Sequence, residues 1–437
     1  MPKNSVVPRA SMVVWAGLAI LACFSAPAAF GNSLGVTNTN DSGPGSLRNA
    51  IASAAPGDTI YFNPKAMRLP ATITLASTLY IANLTIIGPG ASLLFITGGG
   101  SLGPEQLTLG SFFVSGVVSI SGVTIQNTNA TSDNGVGGAI WNDGTLTISN
   151  STLSGNIACL GGAIYNQGTL TLINSTLSDN SGCEGGGIYN FGTVTVSGST
   201  ISGNSARGGG GIVNEGTLTV INSTLSGNSA ASGGGIYNDF EMTATLTNST
   251  LSGNSATQEG GAIHNQGTLM ISNSTLSGNS SGGISIDSAV LSLPSNFAPY
   301  FGPIYSSSSQ VGITLKSTII ANSTQGQNCS VAFGTVTSLG YNLSDDPSCA
   351  SYFNQPGDMN STAAGLDPAG LNSNGGPTRT IALLPTSVAV DAIPISACTD
   401  AAGNPVTTDQ RGVARPQGRA CDIGAFELVL SGALGRP

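Results

Sequence analysis

Between residues 137 and 279 aliphatic and small polar residues alternate in short runs, and the runs return on a fixed period. Isoleucine falls at Ile140, Ile164, Ile188, Ile212, Ile236 and Ile263, at intervals of 24, 24, 24, 24 and 27. Two residues after each isoleucine stands an asparagine: Asn142, Asn166, Asn190, Asn214, Asn238 and Asn265. A Gly-Thr-Leu-Thr segment follows, carrying Leu146, Leu170, Val194, Leu218 and Leu269. An Asn-Ser-Thr-Leu-Ser-Gly-Asn segment completes the unit with Leu153, Leu177, Ile201, Leu225, Leu251 and Leu276.

Each apolar-alternating piece is four to six residues long, the length of a strand, and alternation turns Leu146 and Ile148 inward and Thr145 and Thr147 outward. Leucine-rich repeats share the period but need helix-forming stretches, which these repeats lack; ankyrin and tetratricopeptide units are longer. The pattern predicts an all-β, single-stranded right-handed parallel β-helix. Its six clearest coils belong to a stack of about a dozen. The asparagines of the Ile-x-Asn segments are expected to form an amide ladder along the axis. Gly144, Gly168, Gly192, Gly216 and Gly267 are expected to supply turns of positive φ. The recurring Asn-Ser-Thr is read as turn chemistry rather than as a glycosylation sequon.

An open solenoid end invites edge-to-edge pairing and needs a cap. Residues 32–70 are expected to supply one, with a short helix behind Ser46 whose Leu47, Ala50, Ile51 and Ala54 share a face. Degenerate coils follow over 72–127, and the β-helix region is drawn over 71–345. After Asn279 the repeat breaks, resuming at Ile284 and Ile313 around a 288–310 loop that contains Phe297, Tyr300, Phe301 and Tyr305. Those aromatics are candidate sugar-stacking residues; the alternative, which we prefer, lays the loop over the outer wall. Residues 346–437 are expected to form a C-terminal cap.

Charged residues are only 8% of the 437-residue chain, and Gly is 62, so small aliphatics in register rather than aromatics must build the core. Residues 1–31 have a basic start at Lys3 and Arg9, an apolar run over 12–24 and small-residue cleavage sites at 26–31, as in an export signal. Cleavage there is preferred over lipidation at Cys23. No later segment is apolar enough for a membrane span. Without Lys3 and Arg9 the chain has 10 basic against 21 acidic residues, near −11, which argues against nucleic acid as a partner. Six cysteines remain after Cys23, as expected outside the cytoplasm. Cys159 and Cys183 occupy equivalent sites in adjacent coils and are expected to pair, leaving Cys329–Cys349 and Cys398–Cys421 as local bridges.

The Gly-Gly-x-Ile repeats resemble the middle region of chlamydial polymorphic outer-membrane proteins. The chain also resembles bacterial right-handed β-helix proteins with a choice-of-anchor Q domain. That likeness rests on Val36 through Arg48, Gly340-Tyr341-Asn342-Leu343, Asn374-Gly375-Gly376-Pro377-Thr378, Asp409-Gln410-Arg411-Gly412 and Cys421 through Glu427. The resemblance implies a β-helix at the cell surface or secreted, and no particular activity. Such proteins often continue into an anchoring tail, whereas here ten residues follow Glu427, so release into the medium or periplasm is also expected.

Many β-helices cleave polysaccharides, which requires either a carboxylate pair on one groove or bound calcium with a base. The regular coils contain few ionisable residues: Asp133, Asp143, Asp179, Glu184, Arg207, Glu215, Asp239, Glu241, Glu259 and His264. Glu215 and Asp239 each follow a ladder asparagine and would stack one coil apart. Their equivalents are Asp143, Gln167, Phe191 and Gln266, a scatter suggesting an exposed turn. They are the weak catalytic candidates. His264 takes the Tyr/Trp position of the repeat and is expected to face the surface. Asp391, Asp409, Arg411, Arg415, Asp422 and Glu427 fit a cap held by Arg–carboxylate hydrogen bonds better than a reaction centre. Asp345-Asp346 lacks the repeat of a calcium-stacking solenoid.

No cofactor or metal is implied. The sequence favours a non-enzymatic exported scaffold, adhesin-like, recognising an extracellular glycan or cell-surface protein through stacked turns at 157–160, 181–184, 205–208, 229–232 and 255–259. The alternatives are a polysaccharide lyase or glycoside hydrolase with a groove walled by 101–112 and 288–310, and a purely structural envelope protein.

Overall fold

The computed structural model describes residues 31–99, 101–102, 108–130, 135–281, 283–286, 311–332 and 334–429. The expected signal segment, Asp133 and the aromatics Phe297, Tyr300, Phe301 and Tyr305 lie outside the described residues.

One coil shows how the repeat folds. Ile164–Asn166 forms a first wall, Thr169–Ile173 a second and Thr176–Ser178 a third. The segment from Ser181 to Glu184 then bridges its neighbours as a narrow ridge before the next coil begins. Like residues pair in parallel: Ile140 with Ile164 and Ile164 with Ile188, Leu146 with Leu170, and Leu153 with Leu177. The first and second walls merge into a 20-stranded sheet, and the third wall is an 11-stranded sheet. The fold is a parallel β-helix.

The inward aliphatics Ile164, Leu170, Leu172 and Leu177 are fully buried and continuous with those above and below. At roughly 1.5–3 kcal/mol each, these four side chains give a coil about 6–12 kcal/mol. Ordering the backbone costs roughly 1–2 kcal/mol per residue, so no coil stands alone.

Two asparagine ladders run inside the corners. In the first, each Nδ2 donates to the next Oδ1, from Asn142 to Asn166 at 2.7 Å through Asn238 to Asn265 at 2.7 Å. The second, which the sequence reading passed over, uses the closing asparagine of Asn-Ser-Thr-Leu-Ser-Gly-Asn. Asn156 Nδ2 donates to Asn180 Oδ1 at 2.9 Å, and the Asn156 backbone N–H reaches the same oxygen at 3.0 Å. These groups are fully buried, so an unpartnered amide there would be costly.

The glycine expectation needs correction. Gly144, Gly168, Gly192, Gly216 and Gly267 do not have positive φ. They are glycine because successive coils stack too closely there for a side chain: a Cβ on Gly168 would sit 2.0 Å from the Gly144 carbonyl oxygen. The left-handed corner lies instead at Asn150, Asn174, Gly198, Asn222, Asn248 and Asn273. Asparagine tolerates that conformation, which accounts for Asn-Ser-Thr as a turn.

The N-terminal helix runs Leu47–Ser53, with Ser46 Oγ accepting from Asn49 N at 3.2 Å. Leu47 and Ala50 are buried, with Ile51 and Ala54 partly buried against the same core. Strand Ser33–Val36 already pairs with Thr59–Phe62, which pairs in turn with the strand Leu79–Ile87. The cap therefore contains the first rungs.

The C-terminal region also departs from expectation. Residues around Cys349 and Phe353 close the end of the core, held by Cys329–Cys349. The remainder, from about 364 to 429, folds back as a strap along the outside of the third wall. Thr224 Oγ1 donates to Arg379 O at 2.6 Å, Thr250 Oγ1 to Gln410 Oε1 at 2.6 Å, and Ala425 N to Thr275 Oγ1 at 3.0 Å. The strap has its own apolar cluster, including Leu383, Ile393, Ile423 and Phe426, and is closed by Cys398–Cys421.

Candidate functional site

From Ile140–Asn142 to Ile284–Ile286, the middle residue of each first-wall strand points outward yet is buried. Phe113, Trp141, Tyr165 and Tyr189 form a column with ring centroids 5.2, 5.5 and 6.0 Å apart. The ridge folds back over them, and Val136 and Leu160 pack against the rings. The segments read as stacked turns lie in register as parallel β-bridges, running Val136–Leu160–Glu184–Gly208–Ser232 and Ile157–Ser181–Ser205–Ser229. Cys159–Cys183 joins two of these rungs, with Cα atoms 4.5 Å apart. His264 continues the column and is buried rather than surface-facing: it stacks on Tyr237 at 5.0 Å, and its Nδ1 lies 3.1 Å from Ser285 Oγ and 3.5 Å from Glu259 Oε2.

The column follows a hydrogen-bonding rule. Its polar ring groups, Tyr165 apart, reach the residue after the ladder asparagine in the next coil: Trp141 Nε1 donates to Gln167 Oε1 at 3.3 Å, and Tyr237 Oη to Gln266 Oε1 at 3.1 Å, whereas Tyr165 Oη accepts from Gln167 Nε2 of its own coil at 3.2 Å. Tyr189 donates likewise to Glu215, in a very short hydrogen bond. Val213 breaks the rule, having no ring and no hydroxyl. Its counterpart Asp239 accepts a local bond from Phe240 N at 2.7 Å.

A second small residue falls at the same level. Gly208 occupies the ridge position held by Leu160 and Glu184 in earlier coils. The Glu184 carboxylate fills that space: a Cβ on Gly208 would lie 2.3 Å from Glu184 Oε2. Glu184, Tyr189, Glu215 and Asp239 cluster beside Gly208 and Val213, close enough for their charges to act on one another. Arg207 stands exposed on the ridge nearby.

The carboxyl groups are half-buried rather than freely exposed as the turn reading implied. Burial pushes Glu215 up to about 7; the Tyr189 hydroxyl opposes this, while Asp239 and Glu184 add to it. Burial also pushes Glu184 up to about 7, against the pull of Arg207 and the Gly208 N–H. Asp239 is raised by burial, opposed by the Phe240 N–H. Near neutral pH the cluster therefore holds carboxyl groups that can donate as well as accept hydrogen bonds. Glu184 and Val213 are the residues that sequence reasoning missed. The signal was present as an acid in an apolar ridge column and a valine in an aromatic one.

The C-terminal acidic and basic residues are consumed by the strap. Arg415 is fully buried, 3.1 Å from Glu427 Oε2, and donates to the carbonyls of Asp422 at 2.7 Å and Gly424 at 2.6 Å. Arg411 makes paired bonds to Asp409 Oδ2 at 2.9 and 2.7 Å and lies 3.6 Å over the Phe426 ring. Asp422 and Asp391 accept backbone N–H groups from Asp391 and Ala420. Asp345 and Asp346 are similarly engaged, with Asn328 Nδ2 at 2.7 Å and Ser348 N at 3.0 Å. Among the described residues no His, Cys, Asp or Glu group is arranged to hold a metal ion, and no helix is long and apolar enough to cross a membrane.

The Chlamydia polymorphic membrane protein repeat matches residues 150–167 and 248–266. Each stretch runs from the left-handed corner through the third wall and ridge to the next first-wall strand. No curated protein matches the sequence. Among solved structures, the crystal structure of pectate lyase Pel9A superposes with a TM-score of 0.51, covering 91% of this chain and 96% of that one at 13% identity. At that identity the likeness is one of fold.

Proposed function

We propose that the protein is an exported, surface-exposed β-helix scaffold that binds an extracellular glycan along the first wall and ridge. The observation that carries this is the cluster of Glu184, Tyr189, Glu215 and Asp239, which offers several hydrogen-bonding groups beside Gly208 and Val213 on a rigid frame. Sugar hydroxyls both donate and accept, which suits carboxyl groups poised between their two protonation states. The ridge varies from coil to coil (Cys159, Cys183, Arg207, Ala231) while the walls repeat, so selectivity resides beside the cluster. Glycan-array binding of the native chain and of Val213→Tyr tests the reading. The added ring crowds the cluster and should abolish the signal; binding that survives it overturns the proposal.

A second reading is favoured by one observation: Glu184 and Glu215 both hold their protons up to about pH 7 beside a third carboxyl group, Asp239. A protonated acid paired with a carboxylate is the equipment of glycosidic-bond cleavage. Release of new reducing ends from a bound glycan, lost in Glu215→Gln with binding retained, would establish it.

A further inference from the structure

The second wall presents a different chemistry. Its outward positions carry a Thr-x-Thr pair on five successive rungs, from Thr145 and Thr147 down to Thr243 and Thr245, each threonine paired in register with its counterpart. None of these pairings contains a bulge. The first column of the pair is exposed and the second half-buried against its neighbours. Beneath them Leu146 and Ile148, and their equivalents in each rung, are locked in the core.

The array is regular in two directions. Rungs repeat at about 4.8 Å, and alternate residues along a strand at about 6.7 Å. The outward positions of these rungs carry no ionisable and no aromatic side chain, although the chain as a whole has a formal charge of −9. A charged partner gains nothing here, and a sugar finds no ring to stack on.

A contrast within the molecule sharpens the point. The third wall also bears a row of threonines, and there Thr224, Thr250 and Thr275 hydrogen-bond the strap. The paired threonine hydroxyls of the second wall make no side-chain hydrogen bond to another described residue. The occupant that matches such a face is uncharged, rigid and periodic in the same two directions. Hexagonal ice is that material: its prism faces repeat their oxygens at spacings close to both of these. A threonine array offers a hydroxyl to each lattice site and a methyl group that restrains the water between.

We propose that the second wall is an ice-binding face, on which ordered water held by the Thr-x-Thr array merges with the ice lattice. This is independent of the carboxyl cluster, which lies on the first wall and ridge.

The test uses the full chain and pure ice. Thermal hysteresis and partition into slowly grown ice should both be positive for the native protein. Both should fall several-fold in Thr195→Lys, which sets a charge in the middle of the array. Thr176→Lys, on the strap-free part of the third wall, should match the native protein; far-ultraviolet circular dichroism verifies that both variants are folded. Exclusion of the native chain from ice overturns the proposal. Equal partition of Thr195→Lys and the native chain does so too, as does loss of ice binding in Thr176→Lys. Adsorption to crystalline chitin or cellulose without any effect on ice reassigns the face to a polysaccharide and likewise refutes it.

Discussion

Asn214 Nδ2 donates to Asn238 Oδ1, one coil further along, at 2.7 Å. The same Nδ2 also lies 3.1 Å from the carbonyls of Gly216 and Thr243, so three acceptors converge on one amide donor. Asn214→Asp would aim an oxygen at all three and bury a charge, at a cost of about 3–5 kcal/mol. Asn214→Ala leaves Asn190 without one of its acceptors and should cost about 1–3 kcal/mol. Urea denaturation, with hydrogen exchange localising the loss to neighbouring coils, separates the two. Equal losses would show that ladder polarity is unimportant.

The carboxyl cluster makes stability depend on pH in an unusual direction. Glu184 and Glu215 titrate at about 7 when folded, against an ordinary 4.5, so the folded state holds these protons more tightly. Their contribution is complete below pH 4.5, declines between 4.5 and 7, and is absent above. Thermal unfolding should therefore show a lower midpoint at pH 8 than at pH 5.5. Glu184→Gln/Glu215→Gln should flatten that slope, and an unchanged slope would place the cause elsewhere.

Glycine at the stacked corners is a matter of space. Gly168→Ala forces a Cβ to within 2.0 Å of the Gly144 carbonyl oxygen. It should destabilise by about 1–3 kcal/mol through a backbone shift. Gly227 has φ of +63° with nothing within 4 Å of a Cβ, so Gly227→Ala pays only the left-handed preference, about 1 kcal/mol. Denaturant midpoints of the two variants should rank in that order.

Arg415 is the pivot of the strap. Arg415→Ala strands the Glu427 carboxylate in a buried site and frees two carbonyls, a loss of about 3–5 kcal/mol. Limited proteolysis should then cut within 364–429 while amide exchange in the coils from 145 to 200 stays slow. Simultaneous opening of both regions would mean the strap is part of the solenoid's cooperative unit.

The period alone placed the walls, because each strand's inward residues are fixed by alternation and each coil by the return of isoleucine. Cys159 and Cys183 occupy equivalent rungs for the same reason. What the period could not convey is contact outside the repeat. That Gln410 meets Thr250, or that the ridge folds over the aromatic column and buries His264, depends on how chain segments pack side by side. Glu215 and Asp239 were visible as a stacked pair. Their altered acidity arises from burial and, for Glu215, from the Asp239 and Glu184 carboxyl groups nearby, which is evident only once the ridge is known to face that column.

Because the strap hydrogen-bonds the rungs of Thr224, Thr250 and Thr275 in turn, it works as a gauge cut for one segment of the stack. Adding or deleting a coil between those rungs would misalign its contacts on one side of the change, whereas among the described residues the coils from Ile140 to Ser178 make no hydrogen bond to it. Duplication of a repeat is thus tolerated upstream and penalised downstream. A lineage could lengthen this molecule only from one side.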